Sequence, residues 1–244
     1  VPAPVRWFLA RLISWRRAPV AQEIYAHIGG RSPILPETEK QRDALQAVLG
    51  DDYRVFVSMR YWHPFADETA REVAAWEPDR VILLPLYPQF STTTTESFTQ
   101  AWHPAAAQAG LSVPTAEICC WPDADGFIDA VARATDAAIS KLPDDAPYRI
   151  LFSAHGLPKK IVDGGDPYAS HVERTSAAVL ARLKDPGVDH IVCYQSRVGP
   201  MEWLQPYTED QIKKAGVEGI ALVVVPVAFV SEHSETLVEL DIEY

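Results

Sequence analysis

The sequence predicts an α/β fold, and two observations carry that reading. Short runs rich in Val and Ile alternate with longer stretches of helical period, the order expected of parallel sheets built from β-α-β units. Several of the short runs, among them RVILLPLY (80–87) and IALVVVPVAF (220–229), are apolar on both faces and need helices on both sides.

Taken in order, the polar and Ala-rich stretches at 20–28 and 37–49 are expected as helices, and RVFVSM (54–59) as the first strand. A helix at 66–76, a strand at 80–87, a helix at 96–109, a strand at VPTAEI (113–118) and a helix at 124–141 follow. LPDDAP (142–147) stops that last helix with two prolines and two aspartates just before a new strand, and so marks a boundary. Beyond it come strands at YRILFSA (148–154), HIVCYQ (190–195) and 220–229, with helices at 167–184, 202–215 and 233–243. Two similar α/β domains are expected, 1–143 and 144–244.

Composition narrows the function. A formal net charge of -11 argues against general nucleic-acid binding, which demands a basic surface. The three cysteines, Cys119, Cys120 and Cys193, are odd in number with two adjacent, so they form no disulfide framework and fit a reducing, cytoplasmic compartment. IALVVVPVAFV (220–230) is the longest apolar run and falls short of the roughly 20 residues of a membrane-spanning helix. The start at Val1, with no signal-peptide order, reads as that of a fragment.

In open α/β sheets ligands bind at the carboxyl ends of the strands. The loops there read MRYWHP (59–64), LYPQFSTTTTES (86–97), SAHGLP (153–158), YQSRVGPMEWLQP (194–206) and VAFVSEHSE (227–235). His155, at a strand end before Gly156, stands where an imidazole can take up protons or ligate a transition metal; a surface or capping histidine is the plainer alternative. His233 beside Glu235 suits a divalent first-row metal, although His-x-Glu alone is a weak signal. Phosphate-loop, Gly-x-Gly-x-x-Gly, Gly-x-Ser-x-Gly and His-Glu-x-x-His motifs do not occur, which lowers nucleotide-driven, serine-hydrolase and zinc-hydrolase readings. STTTTES (91–97) reads most simply as a helix-capping turn. VRWFLARLISWRR (5–17) combines Trp7, Phe8 and Trp15 with four arginines, a pattern suited either to a membrane interface or to packing on a domain. In a helix over 233–243, Glu235, Glu239 and Glu243 would line one face at spacings of four, where like charges repel.

Seven segments in order, IGGRSPI (28–34), MRYWHP, LYPQFSTTTTES, LFSAHGLP (151–158), GDPYASHV (165–172), YQSRVGPMEWL (194–204) and PVAFVSEHSETLVELDIEY (226–244), resemble the motifs of ferrochelatase. The resemblance implies insertion of ferrous iron into protoporphyrin IX to give protohaem. It also implies two Rossmann-like chelatase domains, each a parallel four-stranded sheet with flanking helices, and a porphyrin cleft between them. Carried over by motif, His155 matches the active-site histidine and Glu235 the carboxylate facing it, the pair assigned to proton and metal handling. Arg17, Tyr25, Ser32, Arg60, Tyr61 and His233 match positions assigned to the porphyrin site. The 194–206 motif resembles the proteobacterial and mitochondrial form, in which residues 5–17 belong to an apolar lip, so peripheral contact with the inner membrane is expected.

The sequence departs from the family pattern in three respects. Thr92 stands where some relatives have a cysteine ligand, so no iron-sulfur cluster and no other cofactor is expected, iron being a substrate. The family's N-terminal strand and C-terminal region have no counterpart in the sequence, and Arg31 replaces a usual glycine. A noncatalytic porphyrin carrier or an inactive remnant of the same fold is the alternative function.

Overall fold

The computed structural model describes residues 3–143 and 146–244, so Asp144 and Asp145 of the expected boundary lie outside the described residues. The chain divides into two compact units, Leu49–Val230 and a smaller one of Val1–Val48 with Ser231–Tyr244.

The smaller unit is helical. Helix α1 spans Ala3–Ala26 and α2 spans Ile34–Leu49. Between them Gly29 and Gly30 have φ of 85° and 80°, and the Gly30 N–H closes on the Tyr25 carbonyl at 2.7 Å. Left-handed backbone favours glycine, and these two glycines supply it. Arg31 is not among the positive-φ residues, so a side chain there meets no left-handed strain. Apolar and basic positions are interleaved around α1 and not divided into two clean faces, because Arg16 falls inside the apolar arc. The unit ends in a π-helix, Glu235–Glu243.

The larger unit holds the sheets. Its elements are α3 (Ala66–Ala75), β1 (Val81–Leu83), α4 (Thr95–Gln108), β2 (Thr115–Glu117), α5 (Asp125–Ile139), β3 (Tyr148–His155), α6 (Lys159–Asp163), α7 (Tyr168–Leu180), β4 (His190–Gln195), α8 (Thr208–Glu218) and β5 (Ala221–Pro226). Strands β1 and β2 pair in parallel, and β3 lies between β4 and β5, again all parallel. The α/β class therefore holds, with parallel sheets of two and three strands among the described residues.

The expected strand at 54–59 does not form; Met59 alone makes a bridge, to Phe65. In this segment Thr69 Oγ1 donates to the Val57 carbonyl and Met59 N to the Pro64 carbonyl. Strand β1 is shorter than expected because Leu84 is followed by Pro85, whose carbonyl accepts the Trp121 indole N–H.

Strand β3 is apolar on both faces for a visible reason. Ile150, Phe152 and Ala154 are fully buried in a cluster with Ile128 of α5 and Val172 and Val179 of α7. On the other face Ser153 meets Thr208 of α8, oxygen to oxygen at 2.8 Å. Burial of a side chain such as Phe152 contributes about 1.5–3 kcal/mol. A second cluster, formed by Ala70, Val73, Leu83 and Trp102, joins α3 and α4 to β1.

Candidate functional site

His155 is the last residue of β3 and sits opposite Gln195 at the end of β4. The ladder continues one step further, since the Gly156 N–H donates to the Gln195 carbonyl at 2.8 Å. Gln195 is itself fixed, because Ser153 Oγ donates to its Oε1 at 2.8 Å inside the sheet. A half-buried imidazole is thus carried on the central strand of its sheet, at the carboxyl end where ligands of such sheets bind.

The 198–204 loop closes over it. Leu204 N donates to the Leu157 carbonyl and Lys159 N to the Glu202 carbonyl, so this loop runs antiparallel to residues 157–159. That pairing holds Trp203 edge-on to His155, with ring centres 6.5 Å apart at 70°, and the indole N–H is taken by the Val198 carbonyl. Gly156 is required by this closeness: a Cβ there would lie 3.0 Å from the Gln195 carbonyl oxygen and 3.3 Å from Trp203.

Arg60 and Tyr61 are brought together in the same unit. The guanidinium lies 4.7 Å from the Tyr61 ring centre, and Arg60 Nε donates to the Ser97 carbonyl and hydroxyl at 3.1 and 3.0 Å. Tyr87 stands beside them; desolvation first and Tyr61 second push its phenol up, with Arg60 opposing. A pocket of about 300 Å³ opens next to Arg60, bordered by Met59, Phe65 and Gln108.

Ser91, Thr92 and Thr93 do more than cap a helix. Asp166, only 6% exposed, accepts from Ser91 Oγ, Thr92 N and Thr92 Oγ1 at 2.7–2.9 Å, and from Tyr168 N at 3.0 Å. Burial pushes this carboxyl up, but the bonds from Thr92, Tyr168 and Ser91 together outweigh it and hold it below the usual range. Gln89 Nε2 donates to Thr175 Oγ1 and the Val227 carbonyl, and Phe90 N donates to His171 Nδ1. Sequence reasoning gave Asp166 no role; the Gly-Asp-Pro turn before a helix was its only signal.

The remaining expected site residues belong to the smaller unit. Arg17 and Tyr25 lie on α1, and Ser32 Oγ accepts the Ile34 N–H at 3.3 Å, at the start of α2. His233 and Glu235 are adjacent: the Glu235 N–H donates to His233 Nδ1 at 3.0 Å. A neutral imidazole that accepts at Nδ1 carries its proton on Nε2. The π-helix also changes the acidic line. Its i→i+5 bonding brings Tyr244 over Glu239, whose carbonyl accepts the Tyr244 N–H and whose carboxylate accepts the phenol at 2.7 Å. Glu239 is therefore engaged by Tyr244 five positions on, where the α-helical reading placed Glu243 beside it.

Among the described residues no three His, Cys, Asp or Glu side chains converge on a point that would hold a metal ion, and no helix is long and apolar enough to cross a membrane.

The family model "Ferrochelatase" matches residues 1–244. The chain belongs to the ferrochelatase family. A ferrochelatase of Caulobacter vibrioides (strain NA1000 / CB15N) is 51% identical over 248 residues, covering 100% of this chain and 70% of that protein. Those of Phenylobacterium zucineum (strain HLK1) and Rickettsia bellii (strain OSU 85-389) are 51% and 48% identical, with 71% and 68% of their lengths covered.

Proposed function

We propose that the protein inserts ferrous iron into protoporphyrin IX to form protohaem, the terminal step of haem synthesis. The observation that carries this is family membership along the whole chain together with an imidazole fixed at the end of a central strand. Metallation releases two pyrrole protons as the metal enters a flat, rigid ring, so the reaction needs a proton acceptor, a metal-handling group and contacts that hold and bend the macrocycle.

His155 is the proton acceptor and a metal contact in this reading. Glu235 handles the arriving cation. Arg60 and Tyr61, with Arg17, Tyr25 and Ser32, hold the porphyrin edge. His233 serves by hydrogen bonding, since a ring that keeps its Nδ1 bond to the Glu235 amide has a proton, not a lone pair, on Nε2. In the finer architecture implied by the family, each half, with a boundary near residue 143, carries a parallel four-stranded chelatase sheet. Peripheral membrane contact runs through α1, where Trp7, Phe8 and Trp15 are 62%, 61% and 74% exposed.

The test is a metallation assay with protoporphyrin and zinc or anaerobic ferrous iron, followed by loss of the metal-free porphyrin spectrum. Turnover that falls by roughly 10²-fold or more in His155→Ala is expected for a lost proton acceptor. Tight porphyrin binding without turnover by the unmodified protein would favour the carrier reading instead.

A further inference from the structure

We propose that Asp166 is a positioning residue for the Arg60 substrate contact, acting through the loop that joins Ser91 to Ser97. The inference rests on the reading of Arg60 as a porphyrin contact. Its route is two sets of hydrogen bonds joined by the backbone of residues 91–97, within one compact unit.

At one end, the two carboxylate oxygens of Asp166 have separate duties. Oδ1 accepts the Tyr168 N–H and so caps α7, while Oδ2 takes all three donors from Ser91 and Thr92. Ser91 in turn fixes the start of α4. Its carbonyl accepts the N–H groups of Thr94 and Glu96 at 3.2 and 3.3 Å, and its hydroxyl meets Thr93 Oγ1 and accepts the Thr93 N–H. Ser97, in the first turn of α4, then supplies both acceptors for Arg60 Nε. An arginine held at Nε by two oxygens of one residue has its guanidinium plane set by that residue, so a shift in where α4 begins re-aims the fork.

The bland alternative is that Asp166 merely caps α7. That duty belongs to Oδ1 alone. Three donors converging on Oδ2, two of them from a residue 74 positions away, exceed what a cap needs. A charged acceptor makes these bonds about twice as strong as neutral ones, which suits a joint that must not drift.

Asp166→Asn separates the two duties. The amide oxygen can still cap α7, but an NH₂ placed at Oδ2 faces three donors. Steady-state metallation kinetics are measured for the unmodified protein, D166N, T92V, R60A and the D166N/R60A double variant. Expected are a KM for protoporphyrin about tenfold higher in D166N with kcat and the metal KM little changed, a smaller rise in T92V, and no further rise when D166N is added to R60A. T92V removes a single hydroxyl and keeps the test alive if D166N fails to fold. R60A that leaves the porphyrin KM unchanged would refute the reading of Arg60 and this inference with it. R60A that raises KM while D166N and T92V do not, or D166N and R60A effects that simply add, would refute the inference alone.

Discussion

Replacing Gly156 with alanine probes the packing that holds His155. Neither contact of the new methyl lies at the end of a flexible side chain: the Gln195 carbonyl oxygen at 3.0 Å is backbone, and Trp203, at 3.3 Å, is held by its own indole bond to Val198. The same Gln195 carbonyl already accepts the Gly156 N–H at 2.8 Å, so moving it away weakens the bond that extends the β3–β4 ladder. Overpacking of this kind typically costs about 1–3 kcal/mol. At about 2–4 °C per kcal/mol for a domain of this size, the melting temperature should fall by roughly 2–12 °C. Activity should fall further than stability explains, because relief comes from pushing Trp203 and the His155 backbone apart, and a misplacement of about 1 Å can cost 10²-fold. Differential scanning fluorimetry gives the first quantity and metallation kinetics at a temperature well below the transition gives the second. An alanine variant with unchanged melting temperature and unchanged kcat would mean that His155 is not held by this packing.

Three further outcomes are expected. With an exposed Cys119, a Cys120 thiol pushed up to about 11 by desolvation and its bond with Cys119, and a fully buried Cys193 pushed up to about 11 by burial, a thiol reagent near neutral pH should label Cys119 first. Cys193 should react only on unfolding, and rapid labelling of Cys193 in the native protein would contradict its placement. Because the Asp166 carboxyl is depressed in the fold, its contribution to stability is fully present above its unfolded pKa near 3.9 and is lost as pH falls through the lower folded value. Acid titration of melting temperature should therefore show a loss below about pH 4 that D166N lacks, and parallel curves for the two proteins would count against it. Finally, Arg6, Arg11, Arg16 and Arg17 precede the first acidic residue, Glu23, and each arginine near an anionic surface is worth about 1 kcal/mol. Binding to vesicles should thus be stronger with anionic lipid, weaken with salt and drop by roughly 30-fold in R16Q/R17Q; equal binding to zwitterionic vesicles would oppose the basic contribution.

Local pattern made much of this fold legible. Runs such as YRILFSA and HIVCYQ state their strands because they are apolar along most of their length, and the first of them carries His155 at its carboxyl end, as its position in the sequence led one to expect. RVFVSM misled because a short apolar run reports only that a strand would be tolerated; whether one forms depends on a neighbour that local sequence does not contain. The π-helix was invisible for a related reason. Residues at four-residue spacing fit an α-helix equally well, and the pairing of Tyr244 with Glu239 becomes apparent only once the hydrogen-bond register is known. Asp166 escaped notice because its meaning lies in Ser91 and Thr92, distant in sequence and ordinary in type.

The parallel register of the three-stranded sheet bears on how the chain is made. Strand β3 emerges from synthesis first, yet its partners are His190–Gln195 and Ala221–Pro226, so the apolar Ile150, Leu151 and Phe152 have no sheet to enter until the last of these is available. Pairings this distant in sequence close slowly, and an apolar strand waiting for its neighbours invites association with other chains. Expression at low temperature or with holdase chaperones should accordingly raise the soluble yield, since the interval before β5 arrives is when this chain is most exposed to aggregation.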